Sequence, residues 1–241
     1  MLHSTKGVVL HYFKYSENSI ITKIYTEKFG LQTYILKGLG SKKTKKQKAY
    51  LQPLSLVEMS VYQKENKSLQ SLKSIKLDVP FQSIPFNIYK SSIAFFLAEA
   101  LSKLIKEEEA NKALFDYIYN AVEFFDISDK ITHSFHLLFL LQLTKYFGIS
   151  PQENLNKEAL FLDLQEGSFK VLKPQHVYFS SKEETAIIKK MLLFDFNNEE
   201  NFEFSNVMRK NILSMVLEYY SLHSYNLKNL KSREILTAIF S

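Results

Sequence analysis

The hydrophobic period of this chain changes once, and that change limits what each part can become. Up to Val79 apolar residues alternate with polar ones; beyond Pro85 they recur every third or fourth position, so strands precede helices. Thr5 to Phe13, Ser19 to Thr26, Leu31 to Lys37, Leu54 to Tyr62 and Leu72 to Val79 read as five short strands. They are rich in Ile, Val, Thr and Tyr and are separated by the turn-forming Ser16-Glu-Asn18, Lys28-Phe-Gly30 and Glu65-Asn-Lys-Ser68. In the second strand Ile20, Thr22 and Ile24 share one face, and Ile21, Lys23 and Tyr25 the other. Five strands in so short a stretch suit a small closed barrel, and the five-stranded OB-fold is the barrel most often used on single-stranded nucleic acid.

Pro80 and Pro85 bracket Phe81-Gln-Ser-Ile84, and the boundary between two domains, 1–80 and 81–241, is expected there. The class is α+β: an OB-fold barrel followed by a helical bundle with a small hairpin insertion near 160–173. Asn87 to Ile105 carries an apolar stripe through Ile88, Ile93, Phe96, Leu97, Leu101 and Leu104, and a second helix spans about Lys112 to Phe125. A third, with Ser128 as its expected N-cap, runs through Phe135, Leu138, Phe139, Leu141 and Leu143 to Gly148 and is apolar enough for the bundle centre. Phe161-Leu-Asp-Leu164 and Phe169-Lys-Val-Leu172 flank Gln165-Glu-Gly-Ser168 as a hairpin. Ser181 and Glu184 have capping-box spacing before a helix ending near Leu193, and two more helices cover Phe204 to His223 and Ser232 to Phe240.

Charge follows the same division. Residues 1–80 hold 14 lysines against 5 acids, whereas the remainder holds 17 Lys and Arg against 20 acids. A basic barrel calls for a polyanion, and without an amphipathic basic helix nucleic acid fits better than a membrane surface. The densest run, Lys37-Gly-Leu-Gly-Ser-Lys-Lys-Thr-Lys-Lys-Gln-Lys48, reads as a surface loop between the third and fourth strands. Lys37, Lys42, Lys43, Lys45, Lys46 and Lys48 are thus candidate phosphate contacts, with Lys14 and Lys23 from the strands. Tyr12, Tyr25 and Tyr34 lie near these lysines and are candidate base-stacking platforms, although packed barrel tyrosines show the same pattern.

Catalytic chemistry finds little support. There is no cysteine, hence no disulfide, no thiolate zinc site and no thiol nucleophile. His133 and His136 share a helix face without a nearby third ligand, and His136 sits within an apolar run, which favours packing over metal binding. Gly38-Leu-Gly40 lacks the spacing of a dinucleotide fingerprint, Glu107-Glu-Glu109 reads as a solvated helix end, and no nucleophile is paired with a base. No segment has the length of a membrane span or the form of a signal peptide, so a soluble, cytoplasmic protein is expected.

Several short motifs, taken in order, resemble one family. Lys6-Gly-Val-Val-Leu10, Tyr15-Ser-Glu-Asn18, Thr26, Phe29-Gly30, Lys37-Gly38 and Leu51-Gln-Pro53 are similar to the N-terminal domain of RecO, a bacterial recombination mediator. Phe147-Gly-Ile-Ser-Pro151, Tyr219-Tyr-Ser-Leu-His223, Leu230-Lys-Ser232 and Ile235-Leu236 resemble the helical part of that family. The resemblance implies a non-enzymatic, nucleoid-associated protein that binds single- and double-stranded DNA and anneals complementary strands. It also implies action with RecR, and in many bacteria RecF, to load RecA on DNA coated by single-strand-binding protein, whose acidic C-terminal tail the helical domain would hold. Such a tail needs an apolar pocket rimmed by cations, for which Lys103, Lys106 and Lys112 are candidates. Many family members carry zinc-binding cysteines just after the Gly-x-x-Pro segment; 152–181 has none, so no zinc cofactor is expected and apolar contacts of the hairpin are expected to hold that segment.

The residues are compatible with two other classes: a protein-interaction scaffold with incidental DNA binding, and a metal-dependent nuclease. The second is disfavoured by the wide spacing of Glu17, Glu27, Glu58, Glu65 and Asp78. Lysine without arginine in the basic part suits backbone tracking rather than base reading. If the lysine run contacts about four phosphates of a single strand, log affinity falls against log salt with a slope near −2.8. Neutralising Lys42, Lys43, Lys45 and Lys46 together is expected to flatten that slope in a salt titration, and an unchanged slope would remove the run from binding.

Overall fold

β1 (Leu2–Ser16) is long enough to pair with two neighbours, and it closes the barrel. In the computed structural model, which describes residues 1–38, 42–65, 67–151, 158–196, 202, 204–227 and 229–239, its first half runs antiparallel to β4 (Leu56–Tyr62) and its second half to β2 (Ser19–Thr26). β2 pairs with β3 (Gly30–Lys37), β4 with β5 (Leu69–Val79), and a short parallel contact between β3 and β5 completes the order β1-β2-β3-β5-β4. All five expected strands are present. Val9, Ile20, Ile24, Tyr34, Leu36, Val57, Met59, Val61, Leu72 and Ile75 fill the interior, so the alternation read from β2 is correct in its inward set.

The lysine run is not a loop throughout: α1 (Lys42–Ala49) occupies its second half. Lysine, glutamine and alanine are good helix formers, and nothing in the segment breaks a helix. Gln47 is buried, and Tyr50 and Leu51 just beyond pack against the barrel core, which leaves Lys46 and Lys48 exposed. Residues 39–41 and the side chains of Lys42, Lys43 and Lys45 lie outside what the structure describes.

The strands give way to helices at Pro80, but the first compact unit extends from Met1 to Ile127, so α2 (Ile88–Leu104) and α3 (Lys112–Ile127) belong with the barrel. Asn87 caps α2 by accepting from the backbone N–H of Tyr89 and Lys90. The outer side chains Val8, Tyr25 and Leu31, which form one row across β1, β2 and β3, are buried. Leu31 N–H donates to Glu107 O (3.1 Å), the Tyr25 hydroxyl to Asn111 O (3.4 Å), and the Tyr25 ring lies 6.1 Å from Phe115. Gly30, at φ +61°, has the Glu109 backbone so close that a Cβ would collide with it.

Asp78, Lys6 and Tyr119 tie α3 to the barrel. Asp78 accepts from Lys6 Nζ (2.8 Å) and from the Tyr119 hydroxyl (2.5 Å). Burial works against its ionisation, but these hydrogen bonds outweigh burial and hold its carboxyl below the ordinary value. A second, deeper fastening holds the segment entering α2. Asp126 accepts from the backbone N–H of Gln82 (2.6 Å), Ser83 (2.9 Å) and Ile84 (2.9 Å). Lys90 Nζ, fully buried, donates to Ser83 Oγ (2.7 Å) and Asp126 O (3.0 Å).

The second unit is built around α4 (Phe135–Leu143), every residue of which is buried. Ser128 does not cap it; a turn of 3-10 helix at Thr132–Ser134 intervenes, and α4 starts at Phe135 because the apolar face begins there. Gly148 ends this region in the left-handed conformation, as its position suggested. α5 (Lys182–Leu193) has the expected capping box of Ser181 and Glu184, α6 (Asn206–Leu222) is capped by Ser205, and α7 (Ser232–Ile239) follows; Phe240 lies outside the described residues. The hairpin consists of β6 (Phe161–Asp163) and β7 (Ser168–Lys170), turned at Gly167, where φ is +64° and a Cβ would meet Tyr219 Oη at 2.7 Å.

Replacing Asp126 by Ala leaves the backbone N–H groups of Gln82, Ser83 and Ile84 without their acceptor. The expected loss is about 3–5 kcal/mol of stability, read by urea denaturation, with Asp126→Asn losing less.

Candidate nucleic-acid interface

Two bulges in β1 decide which of its side chains face outward. The register passes from Val9 opposite Ile24 to His11 opposite Lys23, leaving Leu10 extra, and from Lys14 opposite Ile20 to Ser16 opposite Ser19, leaving Tyr15 extra. Beyond the first bulge Phe13, not Tyr12, is outward: Phe13, Ile21, Ile35 and Ser71 stand in one row across β1, β2, β3 and β5. His11, Lys23, Thr33 and Leu69 form the row beside it. Phe13 is 48% exposed and Tyr15 63%, and Lys14 and Lys37 are exposed at the same end of the strands. Lys37 pairs with Ser19 next to the bulge, and Gly38 N–H donates to Asn18 O (2.8 Å), so the chain crosses the β1–β2 turn before entering α1.

The three tyrosines singled out from the sequence lie elsewhere. Tyr34 is enclosed in the barrel, Tyr12 packs against the same interior, and Tyr25 is covered by α3. Burial raises the pKa of both Tyr25 and Tyr34. None of the three offers an open ring face of the kind a base needs; Phe13 and Tyr15 do. Lys23 is half-buried, its Nζ donating to Ser102 O (3.3 Å) at the end of α2. The β4–β5 turn adds exposed Lys64 and Lys67, which the sequence reading passed over; in an OB-fold this turn and the β1–β2 turn flank the binding face.

In the second unit, recesses lie on two sides of α7. One is lined by His136, Arg209, Lys210, Leu213 and Leu236, the other by Leu230, Lys231, Arg233 and Ala238. Arg209 Nη2 donates to Phe204 O (3.3 Å) and Asn206 Oδ1 (3.2 Å), and Arg233 Nη2 to Ser214 Oγ (3.1 Å). The rim lysines expected from sequence are placed differently, in the first unit, where Lys112 pairs with Asp116 (2.7 Å) and Lys103 approaches Glu99 (3.7 Å). His136 is buried, and burial, with Arg209 and His133 adding to it, pushes its pKa down from 6.5 to about 3.

In the hairpin region Asp163 and His176 bond to each other (Oδ2 to Nε2, 3.1 Å), and among the described residues no three His, Cys, Asp or Glu side chains converge on a metal position. The apolar contacts expected there are partly present: Leu162 and Leu164 are buried and Phe161 meets Phe179 edge-on, but Leu172 is 82% exposed. Polar groups do the rest. Asp163 Oδ1 accepts from Gln165 and Glu166 N–H (3.0 Å each), and Leu162 exchanges bonds with Ser180 (2.7 and 2.9 Å).

The unfolded chain takes up a proton at His136 at a pH where the folded chain does not. Stability is therefore expected to fall as pH drops below about 6.5, and His136→Leu is expected to flatten that dependence between about pH 6.5 and pH 4, as measured by urea titrations.

Comparison with known proteins places the chain in a family. Residues 1–81 match the family model "Recombination protein O N terminal" and residues 85–234 match "Recombination protein O C terminal". The chain is 35% identical over 240 residues to a DNA repair protein RecO of Azobacteroides pseudotrichonymphae, with both chains covered completely. It is 36% identical to that of Flavobacterium psychrophilum over 98% of both chains, and 32% identical to that of Phocaeicola vulgatus over the whole of both. With an N-terminal five-stranded barrel, a helical second part and matches along nearly its whole length, the chain belongs to the RecO family.

Proposed function

We propose that this member of a DNA repair and recombination family binds single- and double-stranded DNA through its barrel and anneals complementary strands. With RecR, and with RecF where it is present, it would help load RecA on DNA coated by single-strand-binding protein. The observation that carries the reading is the open end of β1–β2–β3, where exposed Phe13 and Tyr15 stand near exposed Lys14 and Lys37. Aromatic faces beside flexible cations stack bases and neutralise phosphates without choosing a sequence. α1 adds Lys46 and Lys48 at its exposed side, and Lys42, Lys43 and Lys45 belong to the same proposal.

The helical unit would hold the acidic tail of single-strand-binding protein beside α7. Arg209 and Lys210 offer cations next to apolar Leu213 and Leu236, a combination suited to a peptide with acidic side chains and an apolar end. Lys210→Glu is expected to abolish capture of a tail peptide in a pulldown and to leave binding of naked DNA unchanged.

The deciding experiment is annealing of complementary oligonucleotides coated with single-strand-binding protein, with and without RecR. The wild-type chain is expected to accelerate annealing. Phe13→Ala with Tyr15→Ala is expected to weaken single-strand binding by about 1–3 kcal/mol per lost stack, with little effect from Tyr25→Phe. Retained affinity in the double variant would remove this face from the mechanism, and absence of annealing by the wild type would leave a protein-interaction scaffold as the better reading.

A further inference from the structure

The barrel carries a second outward face, on the first half of β1, β4 and β5, that the interface above does not use. Antiparallel pairing lines up Ser4, Ser60 and Ser74 across the three strands, with Lys6, Glu58 and Lys76 in the next row and Leu2 and Tyr62 in the row on the other side. The inward neighbours Thr5, Met59, Val61 and Ile75 are buried, so these rows face out. A bulge matters here as well. The register steps from Ser60 opposite Ser74 to Val61 opposite Leu72, leaving Lys73 extra, and Lys73 Nζ lies 5.9 Å from the centroid of the Tyr62 ring, which is 40% exposed.

Charge on this face leans positive once its own ion pairs are set aside. Glu58 is neutralised by Lys76 (2.6 Å) and Asp78 by Lys6 (2.8 Å). Lys28, whose Nζ donates to Ser4 O (2.7 Å), and Lys73 remain as exposed cations, and the adjoining turn, shared with the first face, adds Lys64 and Lys67 beside exposed Glu65. A row of hydroxyl donors bordered by lysines and one exposed aromatic ring suits a phosphodiester backbone better than a protein surface, because lysine and serine are depleted at protein–protein interfaces. Both faces meet at β5. The row Leu2, Tyr62, Ser71 continues directly into Ile35, Ile21 and Phe13.

We propose that the β1–β4–β5 face is a second track for a nucleic-acid backbone, occupied by a second strand while the first lies on β1–β2–β3. The proposal rests on the DNA-binding reading of the barrel and extends it to two strands per chain. Lys73 and Tyr62 bear on the same stretch of backbone, with the serine row supplying neutral donors between the lysines.

The test is the binding stoichiometry of the full chain for a labelled oligothymidylate of about 10 nucleotides, a length within the range one OB-fold covers. Wild type is expected to take two oligonucleotides. Lys28→Glu combined with Lys73→Glu is expected to take one, to reduce the salt slope of total binding by about 1.4, and to lose annealing. Ser60→Asp, which puts an acid at the middle of the serine row, is expected to do the same, and Phe13→Ala with Tyr15→Ala is expected to keep the second strand. A wild type that saturates at one oligonucleotide overturns the second track and leaves the first face standing, whereas no binding at all overturns both. A Lys28→Glu and Lys73→Glu variant that still takes two strands overturns the proposal. So does one that keeps both strands but loses RecR in a pulldown, which would assign the face to a protein partner.

Discussion

The first unit depends on β1 pairing along its whole length, first with β4 and then with β2. A strand that serves two neighbours must bend between them, and the bulges that allow the bend also reassign its side chains. Leu10 absorbs one step and Tyr15 another, so the outward set changes from Leu2, Ser4 and Lys6 to His11 and Phe13. Closure, curvature and the composition of the exposed face are therefore one problem. Bulges in β5 act the same way, setting Lys73 beside Tyr62 and Asp78 between Lys6 and Tyr119.

This is why the fold was legible in the sequence and the site only partly so. Strand positions follow from alternation and turn residues, and those of β2 and β3 agree with the structure almost residue for residue. Facing follows from register, and a bulge changes register without leaving a mark in composition. Tyr12 lies two residues from Lys14 in sequence, yet Phe13 carries the exposed ring. Tyr25 has the outward parity expected of it, but α3 covers it, and no local pattern announces which part of a barrel a later helix will occupy. The capping box at Ser181 was readable because both of its members lie within four residues; Ser128 looked similar, but the apolar run that fixes α4 begins at Phe135.

Fastening by polar groups recurs wherever apolar contact is thin. The segment between barrel and α2 is held by Asp126, Ser83 and Lys90, and the hairpin of the second unit by Asp163, His176 and Ser180. In both places one carboxylate collects several backbone N–H groups, a local arrangement that sets chain direction within a few residues and needs no large core. A cysteine-free chain can keep a small excursion in place by such means.

The placement of the two arginines has a consequence for timing. The barrel carries lysine alone, and the two arginines lie in the second unit, Arg233 in α7 and Arg209 in α6 next to a recess at α7. An ammonium is strongly hydrated and fits no single partner geometry, so water readily takes back each phosphate it has met; a guanidinium holds a carboxylate through two parallel bonds and lets go slowly. In the proposed function, a chain built this way would grip a protein tail while nucleic acid slides over its other half, and would release a finished duplex without leaving the complex that brought it there.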